Sequence, residues 1–62
     1  MGDKVLQDAI YSLLIEGPLP SGAIARKIHT SEAIVLVELV YLAREGLVSM
    51  RYWKWFITDV RK

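Results

Sequence analysis

Across residues 3–16 the apolar positions Leu6, Ala9, Ile10, Leu13 and Leu14 recur at three- and four-residue spacings. That is the period of a helix with one apolar side. The segment predicts an amphipathic helix of about four turns, with Asp3 and Asp8 near the end where the helix dipole favours carboxylates. "EGPLPSG" stops it, because Gly17 suits the position just past a helix and Pro18 cannot continue one. Ser21 is expected to cap a second, short helix over residues 22–28 with Ile24, Ala25 and Ile28 turned inward. His29 and Thr30 make a tight turn. Ser31 then caps a third helix that runs to Glu45 and is closed by Gly46.

The third segment also suits a strand locally, since Ile34, Val35, Val37 and Val40 are β-branched. Its length and its Ser and Gly boundaries decide for a helix. After Gly46 the period changes. Val48, Met50 and Tyr52 alternate with Ser49 and Arg51, the signature of a half-buried strand. A return strand through Trp55, Phe56 and Ile57 completes a hairpin. Its connection near Trp53 and Lys54 must be very tight, although no Asn-Gly or Asp-Gly is present to secure it. No repeat, linker or low-complexity tract interrupts the chain, so residues 1–62 are expected to form one domain.

Three helices, a short second-to-third turn and a closing hairpin resemble the winged helix-turn-helix superfamily. The resemblance is carried by "LPSGAIARKIHTSEAIVLVELVYLAREGLV" and by "FIT" at the end of the hairpin. Ala25 is the small residue that lets the second and third helices approach. Val35, Leu39 and Leu42 match the inward positions of a recognition helix. Gly46-Leu47-Val48 matches the exit into the wing, and Phe56-Ile57-Thr58 resembles the frequent tyrosine-x-leucine-threonine ending. The resemblance implies a mainly α fold with a small β-hairpin, and a domain of the small prokaryotic or viral transcription-regulator type. One departure is His29 where the family usually has Gly; His tolerates the left-handed conformation better than most residues.

The second departure is chemical. Rotation by 100° per residue puts Val35, Leu39 and Leu42 on the core side of the third helix. Ile34, Glu38, Tyr41 and Glu45 fall on one flank, Leu36, Val40 and Ala43 on the other, and Ala33, Val37 and Arg44 point away. Base edges are read by hydrogen bonds, which Leu36 and Val37 cannot make, while Glu32 and Glu38 are expected to repel phosphate. A helix apolar on nearly every side is normally buried on nearly every side. Ile34, Leu36, Val37, Val40 and Tyr41 are therefore expected to form one patch that another chain covers. Full burial of five such side chains gains roughly 7–15 kcal/mol, comparable with the ~4–15 kcal/mol cost of association.

Composition sharpens that expectation. Sixty-two residues, 53% of them hydrophobic, are many apolar groups for so small a core, and without cysteine no disulfide can supplement it. Eight basic against seven acidic residues leave a net charge of +1, too little to mark a nucleic-acid binder by composition. Local basic groups exist nonetheless. Arg26 and Lys27 on the second helix and Arg51 and Lys54 on the wing either form an ordinary solvated charged surface or make three or four phosphate contacts, with Ser31 and the amides beside it adding to them; Arg61 and Lys62 end the chain. Among the dense aromatics Tyr52, Trp53, Trp55 and Phe56, at least one Trp is expected in solvent, where it would stack on a base or a partner. The structural reading, that these rings cover the first helix, is the one favoured by the large contribution of aromatics to cores.

Catalysis, metal binding and cofactors are not expected. His29 is the single histidine, its pairing with Asp8 or Asp59 would depend on the fold, and "EGPLPSG" lacks the spacing and Lys of a phosphate loop. The apolar run through residues 34–43 is too short to span a bilayer and no signal peptide is recognisable, so a cytoplasmic protein is expected. The leading expectation is a winged-helix, DNA-binding regulator-like protein that associates through its hydrophobic third helix, as a homodimer or with a second protein, and meets DNA through backbone contacts. The alternative is a winged helix used purely for protein–protein interaction.

Overall fold

The computed structural model describes residues 2–58. Helices α1 (Lys4–Glu16), α2 (Ser21–Ile28) and α3 (Glu32–Arg44) are followed by strands β1 (Val48–Arg51) and β2 (Lys54–Ile57). The fold is mainly helical with one antiparallel hairpin, the layout of a winged helix.

Each helix boundary has a local cause. Asp3 caps α1, its carboxylate accepting hydrogen bonds from the N–H groups of Val5 and Leu6. Gly17 ends the helix at φ 155°, where a side chain would be strained. Pro20, rather than the expected Ser21, stands at the α2 N-cap, and it offers no side-chain acceptor. Ser21 is instead the first helical residue; its buried hydroxyl donates to Glu32 Oε2 at 2.6 Å and joins the starts of α2 and α3. His29 takes the left-handed conformation (φ 57°, ψ 50°) that turns the chain, and the N–H groups of His29 and Thr30 both donate to the Ala25 carbonyl. Ser31 caps α3 by accepting from Ile34 N–H at 3.3 Å. At the far end Leu47 N–H donates to the Leu42 carbonyl and Gly46 N–H to that of Ala43, with Gly46 at φ 76°. This is the Schellman arrangement, and its apolar contact is met by the buried pair Leu42 and Leu47.

Ile10, Leu14, Ile24, Ala25, Val35, Leu39, Leu42, Leu47 and Val48 form one core, with Ile28, Trp55 and Ile57 packed against it. The expected inward positions of all three helices hold. The hairpin departs from its expected pattern. In register Val48–Ile57, Ser49–Phe56, Met50–Trp55 and Arg51–Lys54, it meets the core through Val48, Ile57 and Trp55. Met50 and Tyr52, expected inward by alternation, are exposed: Trp55, the cross-strand partner of Met50, is the residue of that rung that packs on the core, and Tyr52 falls in the turn after β1. Two further contacts anchor the hairpin. Leu19 and Trp55 exchange backbone hydrogen bonds of 3.0 and 2.8 Å, adding a one-residue bridge from the α1–α2 connection. Thr58 donates through its N–H to the Leu47 carbonyl and through its hydroxyl to that of Gly46.

Candidate functional site

The outward side of α3 is the first candidate. Ile34, Leu36, Val37 and Val40 keep 45%, 39%, 52% and 47% of their surface in solvent. Val37, Val40, Tyr41 and Arg44 line one shallow depression, and Leu36 lies one turn before Val40 on the same helix. Tyr41 is half-buried, so the expected five-residue patch consists of four exposed aliphatic groups with Tyr41 at its margin. Small Ala33 and Ala43 lie exposed at either end of the file Ala33-Leu36-Val40-Ala43, whose three- and four-residue spacing is that of a helix-pairing seam. None of the side chains in that file carries a donor or acceptor for a base edge; Tyr41 and Arg44 at the margin are the polar groups of this side.

Glu38 corrects the expectation that it would face phosphate. It is 5% exposed and lies on the inner side, where Oε1 accepts from Asp3 N–H at 2.9 Å and from Gln7 Nε2 at 3.0 Å. The carboxylate thus ties the start of α1 to the middle of α3. The signal was available in the spacing: Val35, Glu38 and Leu42 follow at three and four residues, a core-facing file. What hid it was the charge, which is rarely found buried unless partnered. Glu32 stays on the surface but is held by Ser21.

Arg26, Lys27, Ser31, Arg51 and Lys54 are all exposed, on α2, at the α3 cap and at the wing tip. The Ser31 oxygen already accepts from Ile34 N–H, which leaves its proton for a further acceptor. Arg51 and Lys54 are direct cross-strand partners, so two like charges face each other at the last rung of the hairpin. Asp59, Arg61 and Lys62 lie outside the described residues. His29 is exposed at its turn, and Asp8 is paired with Lys4 at 3.6 Å.

The rung Arg51–Lys54 is closed by two aromatic residues. Tyr52 and Trp53 have φ of 53° and 49° and form a two-residue turn with both central residues at positive φ, the type I′ geometry. Asn and Gly adopt it readily, whereas bulky side chains are strained there by about 1–2 kcal/mol each. Both are also among the most exposed large hydrophobic residues described, at 76% and 77%. Trp53 is therefore the solvent Trp that the aromatic density implied, while Trp55 packs on the core. A tight turn was expected one residue later, near Trp53 and Lys54; its position at Tyr52-Trp53 was not legible, because these residues are the opposite of those that favour it.

Among the described residues no group of His, Asp or Glu is arranged to hold a metal ion, and no helix is long and apolar enough to cross a membrane. No protein-family model, curated protein or solved structure matches the chain, so the surfaces above are what bears on its function.

Proposed function

We propose that this chain is a winged-helix protein of the transcription-regulator type that pairs with a second copy of itself through the outward side of α3, and that nucleic acid is met only through phosphates. The observation that carries the reading is the exposure of Leu36, Val37 and Val40 where a base-reading helix needs polar groups. Burying the remaining exposed half of the four aliphatic side chains gains about 3–6 kcal/mol per copy. A twofold pair gains this from each copy, about 6–12 kcal/mol, against an association cost of ~4–15 kcal/mol. The pair is accordingly weak and concentration-dependent. Antiparallel pairing about a point between Glu38 and Leu39 sets Val37 opposite Val40 of the second copy and Leu36 opposite its Tyr41, with the small Ala33 and Ala43 allowing close approach.

In this reading Arg26, Lys27, Arg51 and Lys54 contact phosphates, aided by Ser31, and the protein acts in the cytoplasm. The purely protein-binding alternative is favoured by one observation, the net charge of +1. Two titrations separate them. Random-sequence duplex at low salt is bound, with a salt slope near −3 for three or four contacts, if the regulator reading holds. Absence of binding at tens of micromolar leaves the interaction module. Val37→Glu dissociates the pair in either case, by placing an unpaired charge in an apolar contact.

A further inference from the structure

The wing tip "RYWK" contradicts local preference in three ways at once. Two aromatic residues occupy the left-handed conformation, where their side chains are disfavoured. Their surfaces stand in solvent, whereas Trp55, two residues past Trp53, packs on the core. Two cations face each other across the closing rung. Folding alone accounts for none of these, since Asn-Gly would close the same turn without them. Backbone strain that folding does not require points to a functional use of the strained residues.

The three conflicts have a common resolution in one kind of ligand. An anion at the rung relieves the opposition of Arg51 and Lys54, and no acidic residue lies between Gly46 and Thr58 to do so internally. A flat, unsaturated group covers the exposed rings. A polymer in which phosphate and unpaired base alternate supplies both within one or two repeats. Inside a duplex each base is covered on both faces by its neighbours, so away from the duplex ends stacking on Tyr52 or Trp53 needs a base free of the helix. We infer that the wing tip is a binding site for single-stranded nucleic acid, with Tyr52 and Trp53 as the stacking platform and Arg51 and Lys54 on the adjoining phosphates. Recognition is sequence-tolerant, because every base offers a π face. The site shares its two cations with the reading above but does not depend on α3.

The test is anisotropy of a labelled oligothymidylate of about 12 nucleotides at about 20 mM salt, titrated with the full chain, with blunt duplex of equal length as competitor. The single strand is expected to bind more tightly than the duplex. The double variant Tyr52→Asn, Trp53→Gly keeps the turn and so keeps the fold, yet loses about 5- to 150-fold in affinity, the loss of one stacked base. Arg51→Gln with Lys54→Gln flattens the salt slope by about 1.4, two contacts at 0.7 each. Val37→Glu, which tests the pairing, leaves oligothymidylate binding in place. The inference is overturned by unchanged affinity in the Asn-Gly variant, by duplex competing as well as single strand, or by loss of binding in Val37→Glu. Anionic phosphatidylglycerol vesicles that shift the Trp53 emission while the oligonucleotide does not bind also overturn it, by making the tip a lipid contact.

Discussion

The two sides of α3 invert the usual rule of burial. On the inner side, among Val35, Leu39 and Leu42, sits a carboxylate, Glu38, 5% exposed; on the outer side Val37 and Val40 are about half in solvent. The two sides therefore differ less in the kind of side chain than in what covers it. Inside, every group has a partner from the same chain, including the charge, which takes hydrogen bonds from Asp3 and Gln7. Outside, aliphatic groups have none. The inner side specifies how α1 meets α3; the outer side has the composition of a core without the second half that would make it one.

Substitutions on the two sides should part accordingly. Leu39→Ala, at a fully buried position, is expected to cost about 2–5 kcal/mol. A domain of this length has roughly 3–9 kcal/mol in all, so urea melts should show a mostly unfolded variant. Glu38→Ala removes the acceptor from two donors and is expected to cost about 1–3 kcal/mol; Glu38→Gln keeps a carbonyl oxygen there and should lose less. Equal losses in the two variants would mean that the hydrogen bonds to Asp3 and Gln7 contribute little. At the wing, replacing Tyr52-Trp53 by Asn-Gly relieves about 2–4 kcal/mol of positive-φ strain, offset by roughly 1 kcal/mol of glycine backbone entropy and by the residual cost of Asn, and is expected to raise stability by about 1–2 kcal/mol, with the opposite sign to the other two. A fall in stability there would show that the aromatic turn is a structural device. The smallest effect belongs to the outer side: Val40→Ala in dilute solution should change stability by no more than about 0.5 kcal/mol.

The helical frame was legible because its signals are local. Asp3, Ser31, Gly17 and Gly46 fix chain direction by hydrogen bonding and by φ, and the inward Ile, Leu and Val positions follow from a period of 3.6. The hairpin register followed less well, since alternation indicates which residues share a face but not how far the core extends beneath them. Met50 is exposed while its partner Trp55 packs on the core, and Tyr52 belongs to the turn. Ser21 was misassigned by one residue because Pro20 can stand at the N-cap position through its backbone alone, and the Ser hydroxyl found Glu32 across the fold. The bridge Leu19–Trp55 joins residues far apart in sequence through backbone groups, which leave no mark on residue type. Of the candidate surfaces, the α3 side was visible as apolar residues in excess of one face. At the wing tip the basic pair, an exposed Trp and a tight turn were expected, whereas the strain was not visible, because strain lies in the backbone.

The account depends most on the outer side of α3 being half of a contact between two copies. Sedimentation equilibrium over a dilution series from about 1 mM to about 10 μM, a range suited to a small, weak interface, measures this directly. The mass is predicted to fall from near two chains to one on dilution, and Val37→Glu is predicted to remain at one chain throughout. A wild-type protein at the mass of one chain at every concentration, or a pair that persists in Val37→Glu, would contradict it.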